Sequence, residues 1–280
     1  MISLDASAMI AAWMAVCRGC VTAESMVEQM NGKNIMTENG ITTLTMPIEA
    51  DECDTAAVWR PSAIVTAMQR ATHYAREALG IDWSSLAAKG ALWVVSRVNV
   101  SFERIPKMGE KLTLRAIPQK PVKALYPWRF EFSDSEGKQI GTGETLWNLM
   151  DADTRRLAIL PEVAETLLQA GITEQGALPS AAQELDGEPR RLTFTPAYTD
   201  LDINGHASHL RYIDWCCNIF GAGIMSRYAI PRFRIAYMHE VRTASSADIE
   251  LRTRGTSFSF SGYYGDNPAF VIDGTLAARE

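Results

Sequence analysis

The sequence predicts an α+β protein built twice over, each half a curved antiparallel sheet wrapped around one central helix. Three observations carry this expectation. The order of one strand, one long apolar helix and four strands occurs twice along the chain. Apolar residues recur at helical spacing in each helix candidate and alternate with polar ones in the strand candidates. A stretch rich in Gly, Pro, Ala and Glu separates the two runs. The length of 280 residues suits two domains of ordinary size, and 47% apolar residues suffice for a full core.

The first half opens with a strand-like run, Ile41 to Ile48. A helix is expected from Pro61 to Leu79, with Pro61 in the first turn and Gly80 as the stop. Ile64, Ala67, Met68, Ala71, Ala75 and Ala78 fall on one face of it. Four strands follow. Val98, Val100 and Phe102 alternate with Asn99, Ser101 and Glu103, and Leu112 and Leu114 alternate with Lys111, Thr113 and Arg115. Leu125 to Ser133 is aromatic-rich, and Gln139 to Met150 ends the set. Pro161 to Ala170 reads as a short helix, and Gly171 to Pro189 as a linker. The second half restarts with a strand from Leu192 to Tyr198 and a helix from His206 to Phe220. Leu210, Ile213, Cys217 and Phe220 share a face of that helix. Arg232 to Val241, Asp248 to Arg254, Thr256 to Tyr264 and Ala269 to Ala277 complete it as strands. This is the hot-dog order, here in tandem. The expected boundaries are an N-terminal extension over 1–35, a first hot-dog domain over 36–160, a linker over 161–190 and a second hot-dog domain over 191–280. Two unrelated α+β domains are the alternative.

A net charge of −6 argues against nucleic acid as the main partner, because phosphate binding needs a basic field. No apolar run reaches the roughly 20 residues of a membrane span. The apolar stretch Ala6 to Val16 lacks the basic flank of a secretory signal. Cys17, Cys20, Cys53, Cys216 and Cys217 are odd in number and form no framework, which fits free thiols in a reducing compartment and a cytoplasmic location. Cys17 and Cys20 form a C-x-x-C with no second pair or nearby His, so no metal or redox role is assigned to them.

Chemistry concentrates between Thr199 and Trp215, T-D-L-D-I-N-G-H-A-S-H-L-R-Y-I-D-W. Asp202, Asn204 and His206 lie two apart, so in extended backbone they face one side. Gly205 lets backbone approach a substrate closely. With a helix starting near His206, the unpaired N–H groups of its first turn are expected to stabilise an oxyanion. Helix capping by Asp202 or Asn204 is the structural alternative. Cys216 and Cys217 lie about 15 Å along the helix from His206, at 1.5 Å per residue, and read as packing residues. His206 and His209 form H-x-x-H, but the sequence places no further ligand, so neither a metal nor a cofactor is expected.

This segment resembles the acyl-ACP thioesterase family of plants and bacteria, whose signature holds D-L-D-x-N-x-H before the second helix. It also satisfies the shorter D-x-x-G-H of hot-dog acyl-CoA thioesterases. L-W-N-L-M-D-A-D-T-R-R-L, from Leu146 to Leu157, is similar to the family's end of the first hot dog. The resemblance implies hydrolysis of a fatty acyl thioester on acyl carrier protein. It implies a catalytic set of Asp202, Asn204, His206 and an acid after the second helix, matched by Glu240. The family often has Cys at the next position, where this chain has Val241, which excludes a cysteine nucleophile there.

Glu240 is the expected base for water. Asp202 would orient His206 or the water, or attack directly. Asn204 would position water or substrate. The first half lacks the D-x-x-G-H turn, so it is expected to hold the acyl chain, with Ala67, Met68 and Ala71 beside the tunnel. Arg155, Arg156, Arg190, Arg191, Arg232 and Arg234 are candidates for a patch facing an acidic carrier. The chain is expected to be a monomeric pseudo-dimer or a homodimer. Two alternatives stay open: an acyl-CoA thioesterase, and an acyl-binding hot-dog regulator without turnover.

Overall fold

Alternation of buried and exposed side chains gives β3 (Ile41–Pro47) its sheet-facing residues Thr42, Leu44 and Met46. The computed structural model describes residues 28–30, 33–202, 205–241, 246–265 and 267–279. Cys17, Cys20, Asn204 and nearly all of the expected N-terminal extension lie outside the described residues. Upstream of β3 are β1 (Glu28–Met30) and β2 (Lys33–Glu38). The second of these straddles the expected boundary at position 36, because it pairs along β3, with Ile35 opposite Leu44.

The first half continues with helix α1 (Pro61–Ala78), a short helix α2 (Trp83–Ala87) and strands β4 (Ala91–Phe102), β5 (Lys111–Pro118), β6 (Leu125–Ser133) and β7 (Gln139–Asp151). Helix α3 (Pro161–Gln169) leads into the linker. The second half comprises β8 (Arg190–Phe194), helix α4 (Tyr212–Phe220), a single turn α5 (Ala222–Met225), and β9 (Tyr228–Tyr237), β10 (Ala247–Arg254), β11 (Ser257–Tyr264) and β12 (Asn267–Ala278). Among the described residues these strands form one sheet in the order β1-β2-β3-β5-β6-β7-β4-β9-β12-β11-β10-β8. Outward from the middle, β4-β7-β6-β5-β3 repeats as β9-β12-β11-β10-β8. The repeat expected from the sequence is therefore real at the level of topology.

The halves meet where β4 pairs with β9 antiparallel, Val98 opposite Ile235 and Val100 opposite Phe233. Joining them hides two strand edges that would otherwise template unwanted pairing. The linker is strapped across this seam rather than running free. Arg97 donates to the Pro179 carbonyl at 2.7 Å, Arg234 donates to Ser180 Oγ at 3.2 Å, and the Gln183 amide donates to Asp273 Oδ2 at 2.9 Å.

Helix α1 forms where expected. Pro61 supplies its first turn, and Gly80 at φ +66° ends it in a backbone conformation few other residues adopt. Ile64, Met68, Ala71 and Ala75 are fully buried along one face. Each large apolar side chain buried this way stabilises by about 1.5–3 kcal/mol. Small residues bring helix and sheet together: a Cβ at Gly143 of β7 would lie 2.7 Å from Met68 Cε. In the second half, Tyr212 stacks on Phe270 of β12 with ring centroids 4.2 Å apart, and Ile213 and Cys216 are fully buried. Here the expectation fails at its start. The helix begins at Tyr212, not His206, with residues 209–211 in a turn and Leu210 outside the helix. No helix among the described residues is long and apolar enough to cross a membrane.

Candidate active site

A network of short-range hydrogen bonds explains why residues 199–211 do not join the helix. Asp200 closes a single 3-10 turn by accepting from the Ala197 amide at 2.7 Å, and the Ser208 amide donates to the Asp200 carbonyl at 2.7 Å. Asp202 then folds the chain back on itself. Its amide donates to the His206 carbonyl at 2.8 Å, its carbonyl accepts from Gly205 at 3.0 Å, and its Oδ1 accepts from the His206 amide at 3.3 Å. Gly205 sits at φ +73°, so glycine is required for the turn itself. The amides of Gly205 and His206 are thus spent on Asp202. They do not form the helix-terminal oxyanion site expected from sequence, and the first turn of α4 begins six residues later.

The turn is fastened to the far side of the site. Leu201 bridges Ala207, and the Ala207 amide donates to the Val241 carbonyl at 2.9 Å. That bond carries His206 next to Glu240, which lies just past the end of β9. His206 Nδ1 is 3.4 Å from Glu240 Oε2, with the imidazole 21% and the carboxylate 38% exposed. Asp202, His206 and Glu240 are therefore gathered on one loop pair. Asn204 lies outside the described residues.

The other oxygen of Glu240 is taken by a residue from the first half. Arg155 Nη2 forms an ion pair with Glu240 Oε1. A closed turn presents it: Thr154 donates its amide and hydroxyl to Asp151 Oδ1 at 2.7 Å each, and the Arg155 amide donates to the Asp151 carbonyl at 3.0 Å. Those bonds from Thr154 hold the Asp151 carboxyl below its ordinary pKa. Arg155 itself takes a left-handed φ of +56°. Sequence reasoning noticed the motif containing Arg155 but assigned it to a surface patch. Within that set, three arginines are held by acids of the chain itself. Arg155, Arg191 and Arg234 are each paired with an acid, Glu240, Glu250 and Asp273 respectively.

These groups stand at a cleft of about 470 Å³ between the halves. Arg155, Asp202 and Glu240 line its polar part, and Leu92, Trp93 and Trp147 of the first half line its apolar part. It follows β4 where that strand is no longer covered by β9, whose pairing stops at Arg97. The α1 residue on the cleft is Gln69. Ala67, Met68 and Ala71, expected beside a tunnel, are buried in the general core instead. Apolar walls with a few convergent polar groups are the usual make-up of a small-molecule site.

On the cleft wall beside the turn, His209 is partly buried and edge-on to Tyr237, with ring centroids 5.6 Å apart. Tyr237 donates its hydroxyl to the His209 carbonyl at 3.1 Å. Burial lowers the His209 pKa to about 4, against a smaller upward pull from Asp202, so its ring is neutral at pH 7. Burial also raises Tyr212 to about 12 and Cys217 to about 12. Cys216 is fully buried with its thiol raised as well. Neither cysteine has the thiolate character of a nucleophile.

Two family models match the chain. The acyl-ACP thioesterase N-terminal domain covers residues 40–167, and the acyl-ACP thioesterase C-terminal domain covers 183–265. Among solved structures, an acyl-ACP thioesterase from Bacteroides thetaiotaomicron aligns with a TM-score of 0.76 at 20% identity, covering 85% of this chain and 98% of that one. The 12:0-ACP thioesterase from Umbellularia californica aligns with a TM-score of 0.75 at 20% identity, covering 86% and 98%. These two establish the fold. The chloroplastic palmitoyl-acyl carrier protein thioesterase of Arabidopsis thaliana is 22% identical over 160 residues, 54% of this chain and 39% of that protein. A chloroplastic dodecanoyl-[acyl-carrier-protein] hydrolase of Umbellularia californica is 24% identical over 236 residues, 78% of this chain and 60% of that protein. The chain thus spans between two fifths and three fifths of the length of these two curated relatives.

Proposed function

This chain belongs to the acyl-ACP thioesterase family, and we propose that it hydrolyses the thioester of a fatty acyl chain on acyl carrier protein, releasing the free acid and the carrier thiol. The observation that carries the reading is the convergence of Asp202, Glu240 and Arg155 on an apolar cleft that both halves build, with His206 beside Glu240. An acyl chain suits the wall of Leu92, Trp93 and Trp147, and the thioester suits the polar end. The family's substrate enters as the carrier-bound chain, and a cytoplasmic location is part of the same proposal.

We infer roles for these residues that differ from those expected from sequence. Glu240 has one oxygen on Arg155 and the other near His206 Nδ1. A carboxylate held at both oxygens is placed to orient the imidazole rather than to take a proton from water. With Nδ1 turned to Glu240, Nε2 of His206 is the nitrogen that acts on the substrate. Water attacks the thioester carbonyl carbon as Nε2 takes its proton. The tetrahedral intermediate then expels the thiolate, which leaves with that proton. Asp202 shapes the turn that presents His206. Asn204 keeps the role implied by the family signature, positioning water or the carbonyl oxygen.

The test is steady-state hydrolysis on matched acyl-ACP and acyl-CoA panels. The reading expects turnover on acyl-ACP with kcat/KM above that on acyl-CoA. A preference for the CoA thioesters would reassign the carrier, and binding without turnover on either panel would make the protein an acyl-binding module.

A further inference from the structure

Behind Trp93 and Trp147, which line the first-half wall of the cleft, lies a buried cation that an aliphatic chain has no use for. Arg76, on the last turn of α1, is only 5% exposed. Its guanidinium carbon lies 3.9 Å from the ring centroid of Trp93 and 4.1 Å from that of Trp147, with Trp128 at 5.8 Å. Among the described residues no carboxylate pairs with it, and its Nε and Nη2 are buried without a hydrogen-bond partner. Two further unpartnered atoms lie nearby on the cleft, Gln69 Oε1 and Asn148 Oδ1. Gln69 precedes Arg76 by seven residues, so both sit on one face of α1 about 10 Å apart along its axis.

Stacking explains only part of this arrangement. Indole rings against a guanidinium attract its π face by cation–π interaction. Its N–H donors lie in the plane and point out of the edge, where the rings cannot reach them. The two rings are themselves fixed, Trp93 donating to the Ile81 carbonyl at 2.8 Å and Trp147 to Thr145 Oγ1 at 2.9 Å. The cage therefore holds the cation in place and leaves its edge unsatisfied. Burial lowers the Arg76 pKa, yet an arginine keeps its proton at neutral pH. The partner that fits a guanidinium edge is a carboxylate, which accepts two parallel hydrogen bonds.

Resting on the thioesterase reading, we propose that the first half is a receptor for an acyl chain carrying a carboxylate at the end remote from the thioester. Arg76 takes that carboxylate edge-on inside the tryptophan cage. The substrate class is then an ω-carboxyacyl thioester, with a dicarboxylic acid as product.

The experiment compares plain acyl-ACP and ω-carboxyacyl-ACP of equal length, at several lengths, with the full chain. In parallel, calorimetry measures binding of the free mono- and dicarboxylic acids, which needs no turnover. Wild type should favour the ω-carboxy member in kcat/KM and the diacid in affinity by about tenfold or more, as for a charge-assisted pair. Arg76→Met should abolish both preferences, and Arg76→Lys should restore part of them. Equal or better use of the plain chain by wild type, with no affinity gain for the diacid, overturns the proposal and leaves Arg76 a structural cation. That comparison decides even if Arg76→Met does not fold. Failure to hydrolyse any acyl-ACP sinks the activity reading alone, because the binding comparison still decides this one.

Discussion

The two halves share one topology and use the segment before the central helix in opposite ways. In the first half, Arg60 leads straight into Pro61, and the helix runs for 18 residues. Arg60 is itself tied back to the preceding loop, donating to the Cys53 and Asp51 carbonyls at 2.6 and 2.8 Å. In the second half the helix has 9 residues, and the stretch before it becomes the Asp202–His206 turn. One half keeps a long helix and gains a wall for the chain. The other gives up helix length and gains a place for polar groups. Neither half has the whole cleft, because Arg155 and the tryptophans come from the first and Asp202 and Glu240 from the second.

The sharpest way to break this division is at His206. His206→Ala should lower kcat by about 10²–10⁴, the range for a general acid–base group, with the circular dichroism spectrum unchanged. A variant that turns over normally would move the chemistry away from the turn.

The next effect belongs to His209, which the second half sets, partly buried, in the wall of the cleft. Its pKa falls from 6.5 in the unfolded chain to about 4 in the fold. The unfolded state therefore binds the proton more readily between those values. Stability is complete above about pH 6.5 and is lost as the pH falls toward 4, by on the order of 3 kcal/mol in total. Urea melts of wild type and His209→Gln across pH 7 to 4 should converge on the acid side. Parallel curves would show that His209 is not the group responsible.

The first half answers with a packing test. Ala71 is fully buried in the core, away from the cleft. Ala71→Phe should therefore destabilise by about 1–3 kcal/mol through overpacking, without altering chain-length preference. A shortened product distribution from a folded variant would return this helix face to the acyl pocket.

These contrasts also show what the sequence could reveal. Alternation in β5 and helical spacing in α1 depend on which face a residue presents, and one dominant core decides that. The repeat was therefore readable from pattern alone. The start of α4 was not. Ala207 and Leu210 sit at spacings compatible with a helix, but Ala207 donates to Val241, which is remote in sequence. A tertiary bond overrides the local preference. The meeting of His206 with Glu240 could be anticipated only through the family signature, since 34 positions separate them. Arg155 stood in a flagged motif, yet its pairing with Glu240 depends on how the halves join. Arg76 gave no signal at all, because only the fold brings Trp93 and Trp147 against it.

The smallest expected effect is the most direct test that the site is shared. Arg155→Met should lower kcat by about tenfold while leaving stability nearly unchanged, since a half-exposed ion pair contributes roughly 0–1 kcal/mol to folding. Glu240→Gln breaks the same contact from the other side. The decisive measurement is a double-mutant cycle on single-turnover hydrolysis of one acyl-ACP, using Arg155→Met, Glu240→Gln and both together. If Arg155 acts on the reaction by holding Glu240, the double variant should be no slower than Glu240→Gln alone, a coupling of about 0.5–3 kcal/mol. Losses that simply multiply would mean the two residues act independently, and Arg155 would not work through Glu240.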